Sequence, residues 1–291
     1  MSRALERLIE VLDLEEIERD VFRGLNENPD LPRRLFGGQV APQALVAAGR
    51  TLENRTAHSL HAYFLRSGDP TIPVLYTVDR IRDGTSFTTR RVVAIQKGEA
   101  IFNMSASFHV TEEGLEHQPN APEVPGPETL PGWAELLEKI ADRIPEEHRD
   151  YLARERAIDV RFSTTPTFLG GDISEGLGFM WLRPNGALPE DPLLHQCVLT
   201  YASDMSMLDA MIRPHGAQAR FSMMTASLDH ALWMHRPVRF DDWFLFTQFS
   251  PVAYGARGYS RGEFYARDKT LVASVTQEAL VRPLKKESSS S

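Results

Sequence analysis

Apolar residues recur along this chain with two periods, one typical of helices and the other of strands. Four near the start have the i, i+3, i+4, i+7 spacing of one helical face: Leu5, Leu8, Ile9 and Leu12. Residues 37–52 are mostly apolar, rich in alanine and leucine and opened by two glycines, which predicts a buried helix. Pro42 is expected only within the first turn of that helix.

After this helix the composition changes to runs rich in aromatic and β-branched residues, which predict strands. These runs cover 58–66, 74–82, 86–96 and 100–110, with a hairpin turn at Lys97-Gly98. Five prolines between positions 119 and 131 then exclude a helix or a central strand. Two charged segments with helical patterns follow, 132–143 and 146–156.

The same order of elements returns in the second half. Residues 193–212 are predicted to form one apolar-faced helix, and strand-like runs follow at 226–237, 243–250, 255–266 and 271–282. An alignment that begins with Gly84 opposite Gly255 covers two hairpins without a gap and ends with Val110 opposite Val281. This repetition predicts a duplicated domain. Each unit is expected to be α+β, a long helix wrapped by an antiparallel sheet, with the two sheets edge to edge.

Four parts of the chain follow from these patterns. We predict an N-terminal repeat over 1–117, a proline-rich linker with short helices over 118–157, a C-terminal repeat over 158–284 and a disordered tail over 285–291. The length of 291 residues fits two such repeats.

Composition and charge narrow the class of protein. The chain has 32 Lys and Arg against 40 Asp and Glu, and this net charge of −8 argues against a nucleic-acid partner. No apolar run approaches the roughly 18 residues that span a bilayer, and the acidic first segment is not expected to be a secretory signal. The single cysteine, Cys197, excludes an intramolecular disulfide and fits a reducing compartment. We therefore predict a cytoplasmic protein without a membrane or nucleic-acid partner.

Several ordered blocks of the sequence resemble the acyl-CoA thioesterase II family. They are GGQVAPQAL with HSLHAYFLR, RDGTSFTTRRVVAIQ, DHALWMHRP, and ARGYSRGEFY with LVASVTQEALVR, and the similarity runs from about residue 3 to residue 282. The resemblance implies a double hotdog fold. It also implies hydrolysis of a small-molecule substrate, acyl-CoA, to a fatty acid and free CoA, with no cofactor and no metal.

The resemblance also implies an active site. The family has an Asp on the second buried helix, a Thr or Ser at the start of the next strand and a Gln on the last strand. These positions match Asp204 in YASDMSML, Ser227 in TASLDHALW and Gln277 in VASVTQEAL. We expect Asp204 to be the general base for a water that Ser227 and Gln277 orient. Serine in place of the commoner threonine keeps the hydroxyl but loses the methyl group that stiffens χ1.

In the repeat alignment only the second half carries this trio. The first half has Ala47, His58 and Ala106 at the three matching positions. We therefore predict one active site per chain and expect the first repeat to contribute surface for the acyl chain or for CoA. An acidic protein that binds polyanionic CoA should also gather basic residues at the mouth of its pocket.

Other residues stay open as alternatives. His58 is the second choice of base, and Asp229 is the closest rival carboxylate because it lies two residues from Ser227. His230 and His235 are expected to pack. Six arginines are left unassigned as partners of CoA phosphates: Arg66, Arg82, Arg90, Arg91, Arg257 and Arg261.

A competing motif and two competing functions complete the analysis. Residues 258–262 spell GYSRG, but a nucleophile elbow at Ser260 lacks the strand–turn–helix context and has no histidine after it. The competing functions are a non-catalytic acyl-CoA-binding protein and another hotdog enzyme such as an acyl-CoA hydratase, which typically uses an Asp/His pair. Sheet edges invite pairing, so we expect a homo-oligomer.

Overall fold

Two similar halves meet edge to edge in one antiparallel sheet of 13 strands within the described residues. The computed structural model describes residues 1–26, 35–143 and 146–284, and the predicted tail 285–291 lies outside them. The helices are α1 (Arg3–Leu12), α2 (Gly37–Gly49), α3 (Trp133–Lys139), α4 (Glu146–Leu152), α5 (Pro192–Ser203), α6 (Met207–Ile212) and α7 (Gly216–Ser222). Short 3₁₀ turns lie at Pro127–Thr129, Ala141–Arg143, Thr167–Leu169 and Arg213–His215.

The strands of the first half are β1 (Glu15–Glu18), β2 (Val21–Gly24), β3 (Thr56–Phe64), β4 (Val74–Asp83), β5 (Phe87–Gln96) and β6 (Glu99–His109). Those that follow are β7 (Ile158–Phe162), β8 (Gly178–Pro184), β9 (Met223–Ser227), β10 (Asp229–Met234), β11 (Phe244–Tyr254), β12 (Arg257–Tyr265) and β13 (Leu271–Pro283). The sheet order is β1-β2-β4-β5-β6-β3-β10-β13-β12-β11-β8-β7, and β9 also pairs with β13. The halves join where β3 pairs with β10, His61 opposite Ala231. The predicted α+β class and the edge-to-edge sheets are confirmed.

Helix α2 is enclosed because its sequence offers almost no polar face. Every residue from Gly38 to Ala48 is buried, and the sheet of the first half curves around them. Pro42 is the sixth residue of the helix, so the expectation that it lies in the first turn was wrong. Having no N–H, it leaves the carbonyl of Gly38 without its usual intrahelical donor.

The corresponding helix of the second half is interrupted, which corrects the prediction of one helix over 193–212. Helix α5 ends at Ser203, Asp204 is its C-cap, and Ser206 has a left-handed backbone with φ of 64° before α6 begins. Residues other than glycine rarely adopt this left-handed conformation. Because it does not continue a right-handed helix, the helix is interrupted at this residue. The Oγ of Ser206 donates to the carbonyl of Met205 at 2.5 Å.

The strand predicted over 226–237 is also divided. β9 and β10 are separated by Leu228, whose N–H donates to the carbonyl of Glu278 at 2.9 Å. The other strand runs predicted in both halves are confirmed to within a few residues, and the two charged helices of the linker are present but shorter. No helix in the described part of the chain is long and apolar enough to cross a membrane.

Candidate active site

The interruption after α5 brings Asp204 to the beginning of α2. The Asp204 side chain accepts a hydrogen bond from the backbone N–H of Gly38 and is only 9% exposed. The two glycines at 37 and 38 allow this approach. A Cβ at Gly37 would lie 3.0 Å from Asp204 Oδ2, and a Cβ at Gly38 would lie 3.0 Å from the carbonyl oxygen of Tyr201. The first repeat therefore supplies a donor to the carboxylate of the second.

Ser227 and Gln277 lie beside this carboxylate on paired strands. Ser227 at the end of β9 is opposite Ala279 of β13, so Gln277 is its diagonal neighbour. The Nε2 of Gln277 donates to Ser227 Oγ at 2.9 Å, and the Gln277 side chain also bonds to Asp204. The structure thus brings the three predicted residues into one hydrogen-bonded group.

A fourth side chain belongs to this group and was not assigned a site role from the sequence. His230 was expected to pack, and it is buried, but its Nδ1 lies 2.7 Å from Gln277 Oε1 and its Nε2 lies 2.8 Å from Ser203 Oγ. The pairing that places His230 opposite Gln277 depends on the register of β10 with β13. Pattern and spacing did not give that register.

Burial raises the pKa of the Asp204 carboxyl above its ordinary value because the charged form loses hydration. The nearby His230 ring, the Gly38 N–H and the Gln277 side chain act on the same pKa in the opposite direction. The charged form is therefore stabilised by directed partners within a site that otherwise disfavours charge. A carboxylate held in this way is suited to accept a proton.

Asp204 and Ser227 open onto a cavity of about 780 Å³. Aromatic and aliphatic side chains of both repeats line it, among them Phe36, Val40, Phe64, Phe102, Met180 and Tyr201. The linker contributes a further wall with Tyr151 and Ala157. The first repeat therefore contributes apolar surface to this cavity.

The lining of this cavity includes four arginines and the carboxylates of Glu155, Asp204 and Asp209. The arginines in its lining are Arg66, Arg154, Arg156 and Arg220. Arg156 lies over the ring of Trp133 at 3.7 Å, and Arg66 pairs with Glu99 at 3.0 Å. Of the six arginines considered from the sequence, Arg66 alone is in the described lining.

The side chains of His58 and Asp229, the two rival candidates for the base, bond to groups outside this site. His58 Nε2 contacts Ser107 Oγ at 2.8 Å, and Asp229 Oδ1 accepts from the backbone N–H of Glu278 at 2.6 Å. Neither side chain lines the cavity. Ser260 is buried within β12 and donates to the carbonyl of Met207 at 3.2 Å, so it is an ordinary strand residue as predicted.

Comparison with known proteins decides the family. A model described as Acyl-CoA thioesterase matches residues 147–280, and one described as Acyl-CoA thioesterase N-terminal domain matches residues 28–109. Acyl-CoA thioesterase 2 of Haemophilus influenzae is 38% identical over 285 residues, covering 97% of this chain and 99% of that protein. The chain belongs to the acyl-CoA thioesterase family. Acyl-coenzyme A thioesterase 8 of Mus musculus is 40% identical over 282 residues, covering 94% of this chain and 88% of that protein.

Solved structures agree with this assignment. The acyl-CoA thioesterase II TesB2 of Mycobacterium marinum is 39% identical, with a TM-score of 0.78 and coverage of 97% of this chain and 99% of that one. A protein of unknown function with a hotdog fold from Alicyclobacillus acidocaldarius has the same TM-score at 16% identity, covering 98% of this chain and all of that one, which shows the fold alone. The double hotdog expectation and the sequence resemblance are confirmed, and this member of the acyl-CoA thioesterase family is a thioester hydrolase.

Proposed function

We propose that the protein hydrolyses fatty acyl-CoA to a fatty acid and free CoA by activating one water at Asp204. The observation that carries this proposal is the group of Asp204, Ser227 and Gln277 at the wall of an apolar cavity. Asp204 takes a proton from the water as the water oxygen attacks the thioester carbonyl carbon. The tetrahedral intermediate then collapses, the carbon–sulfur bond breaks, and the departing thiolate receives the proton from Asp204.

Ser227 and Gln277 fix the geometry of this attack. The Nε2 hydrogens of Gln277 are directed to Ser227 Oγ and to Asp204. Ser227 Oγ is then an acceptor for Gln277, and its own O–H is available to hold the water in the cavity. Holding the water between a base and a donor reduces the entropy that must be lost on reaching the transition state.

The beginning of α2 is our proposed site for the negative charge on the thioester oxygen. Gly37 lines the cavity, and its N–H is one of the first donors of the helix, which have no i−4 carbonyl to bond. The next two N–H groups are already used, that of Gly38 by Asp204 and that of Gln39 by the carbonyl of Phe36. The positive end of the dipole of this 13-residue helix lies at the same place. A backbone donor that is already oriented, here the N–H of Gly37, stabilises an oxyanion without reorganisation during the reaction.

An isotope experiment tests water attack against a covalent route. A single turnover with excess enzyme in H₂¹⁸O should place ¹⁸O in the released fatty acid and none in the Asp204 side chain. Mass spectrometry of the peptide that contains Asp204 measures the second quantity. Heavy oxygen in that peptide would show that Asp204 attacks the thioester itself, and a failure to release thiol from palmitoyl-CoA would refute hydrolysis.

We also propose that the cavity arginines hold the phosphate groups of CoA. Arg154 lies beside Tyr151 on the linker wall, and Arg220 lies on α7, where its Nη1 donates to Thr225 Oγ1 at 3.1 Å. Together with Arg66 they supply guanidinium groups, which suit phosphate contacts. The overall charge of −8 does not prevent this, because the positive charge is local.

Comparing two substrates isolates this contribution. Arg154→Gln should raise KM for palmitoyl-CoA about tenfold, a common cost for one phosphate contact, and leave KM for palmitoyl-pantetheine unchanged. The matched control is Arg91→Gln, which replaces an exposed arginine of β5 that pairs with Asp79 of β4, away from the cavity. An equal rise in KM for both substrates would contradict phosphate binding.

The hydratase and the non-catalytic binder are not favoured. A hydratase needs its Asp and His to face the substrate together, whereas both ring nitrogens of His230 are occupied by Gln277 and Ser203. We expect no addition of water to an enoyl-CoA at enzyme concentrations that hydrolyse palmitoyl-CoA within minutes.

Two further proposals concern the cellular compartment and the oligomeric state of the protein. We propose a cytoplasmic role in fatty acid metabolism, supported by the single, unpaired Cys197. We also propose a homo-oligomer, supported by large apolar side chains at the surface such as Tyr63 and Tyr254. Light scattering coupled to size-exclusion chromatography measures the second directly, and a monomer at assay concentration would contradict it.

A further inference from the structure

A buried histidine lies behind the proposed catalytic group, and the mechanism above makes no use of it. His230 is 1% exposed and does not line the cavity. One ring nitrogen faces Gln277 Oε1 and the other faces Ser203 Oγ. Apart from the effect of its ring on the pKa of Asp204, it can influence the reaction only through the residues it contacts, of which Gln277 is the one that reaches Asp204.

The contacts of Gln277 fix which way its amide must point. Because a carboxylate only accepts hydrogen bonds, the Gln277 atom that bonds to Asp204 must be the Nε2 donor. The same Nε2 donates to Ser227 Oγ, so the carbonyl Oε1 faces His230. A flipped amide would place Oε1 against the carboxylate of Asp204, where two acceptors repel each other.

The state of the His230 ring follows from this orientation. Gln277 Oε1 is an acceptor, so the Nδ1 of His230, 2.7 Å away, must carry a hydrogen. On the far side of the ring, Ser203 Oγ donates a hydrogen bond to the carbonyl of Thr200 at 2.8 Å and contacts Nε2. The ring is thus held between α5 and β13 with its Nδ1–H aimed at the amide oxygen.

We propose that His230 is a positioning residue that locks the Gln277 amide in the orientation needed by Asp204 and the attacking water. The backbone supports this arrangement, because Ala231 pairs with Thr276 and the adjacent residues His230 and Gln277 are therefore cross-strand neighbours. Without the Nδ1–H donor the amide can turn over and present its oxygen to the carboxylate. The inference rests on the proposed role of Gln277.

Three variants and one double variant test the proposal. His230→Leu removes the donor but keeps an apolar side chain of similar size, and His230→Asn restores an N–H near the position of Nδ1. Gln277→Ala removes the group on which His230 acts, and the double variant combines it with His230→Leu. The matched control is His235→Asn, which replaces a histidine directly after β10 that contacts Ser274 instead. Thermal unfolding confirms that each variant is folded.

We expect His230→Leu to lower kcat for palmitoyl-CoA by about 10²-fold, the usual cost of misplacing one preorganised group. KM should change less than threefold in the same variant. His230→Asn should recover at least tenfold of the lost kcat, and His235→Asn should leave kcat within twofold. In the Gln277→Ala background, His230→Leu should cost less than threefold, because its target is already absent.

The outcomes separate this inference from the proposed function. Equal losses from His230→Leu with and without Gln277 would show independent roles and overturn the positioning role, as would an unimpaired, folded His230→Leu. If Gln277→Ala itself retains wild-type kcat, the proposed role of Gln277 fails first. Nitrogen-15 NMR of histidine-labelled protein, assigned with His230→Asn, gives a readout independent of activity. We expect a proton on Nδ1, and a neutral ring with its proton on Nε2 would overturn the proposal.

Discussion

Replacing Gly37 by alanine puts one methyl group against the carboxylate on which the proposed mechanism depends. The new Cβ would lie 2.7 Å from Phe64 Cε1 and 3.0 Å from Asp204 Oδ2. Unstrained carbon contacts are about 3.5–4.0 Å, so the ring must move by roughly 1 Å and the carboxylate by a few tenths of an ångström. Gly37→Ala therefore tests how closely the position of Asp204 is tied to the rate.

The effects on stability and on activity should separate. Alanine is favoured over glycine in a helix by about 1 kcal/mol, and a displaced Phe64 rotamer costs about 0.5–1.5 kcal/mol. These terms nearly cancel, so the free energy of unfolding should change by less than about 1 kcal/mol. A 1 Å shift of catalytic groups costs about 10²-fold in rate. Because the Asp204 carboxylate moves by only a few tenths of an ångström, we expect kcat to fall by about 3- to 10-fold.

The control is the same substitution at the other end of the same helix. A Cβ at Gly49 would meet Leu193 Cδ1 and Cδ2 at 2.7 Å, the flexible end of a side chain outside the cavity lining. Thiol release from palmitoyl-CoA and thermal unfolding are measured for both variants. Gly49→Ala should keep kcat within twofold. A folded Gly37→Ala enzyme with wild-type kcat would refute the claim that this contact sets the geometry of Asp204.

Four further predictions concern three single groups, Asp204, Ser227 and Cys197. Burial raises the pKa of Asp204, so kcat/KM should rise with pH, and log kcat/KM should have unit slope, up to a pKa above the ordinary aspartate value of about 3.9. A profile without this rise below neutral pH would contradict the role of Asp204 as base. The same shift predicts that the free energy of unfolding of the wild type falls relative to that of Asp204→Asn as pH rises through this raised pKa. Urea titrations at several pH values measure this difference, and a difference that does not change with pH would contradict the shift. Ser227→Thr should keep kcat within threefold, since the hydroxyl remains and the added methyl group stiffens χ1; a loss of 10²-fold would show that the site is built around serine. Burial raises the pKa of the Cys197 thiol well above its usual range, so a thiol reagent should label the native protein far more slowly than the urea-unfolded protein, and rapid native labelling would contradict that burial.

Local sequence pattern was sufficient for much of the fold. Strands β3 to β6 and β11 to β13 have aromatic and β-branched residues at strand spacing, and the repeat revealed their shared order. The strands β1, β2, β7 and β8 and the helix α7 were not predicted. β1 is fully exposed and β2 has only four residues. Neither strand therefore has enough alternation of apolar and polar residues to be recognised from the sequence without the strand with which it pairs.

The site was predicted in part, and what was missed depends on contacts between distant segments. The resemblance supplied Asp204, Ser227 and Gln277, but the interruption of the helix at Ser206 is a tertiary feature that an apolar periodicity conceals. His230 joined the group only through strand register. Arg154 and Arg156 belong to a segment for which the sequence predicted only a charged helix, and that pattern does not reveal their position along the cavity.

The central claim is that Asp204 is the base that activates water. Its most direct test is the single-turnover rate of Asp204→Asn with palmitoyl-CoA, compared with Asp209→Asn. The second variant removes a half-buried carboxyl of the same cavity lining that instead accepts a hydrogen bond from the backbone N–H of Thr167. Loss of a general base costs about 10²–10⁴-fold, so we expect Asp204→Asn to lose at least about 10³-fold and Asp209→Asn less than tenfold. A folded Asp204→Asn enzyme within a few-fold of the wild-type rate would contradict the account.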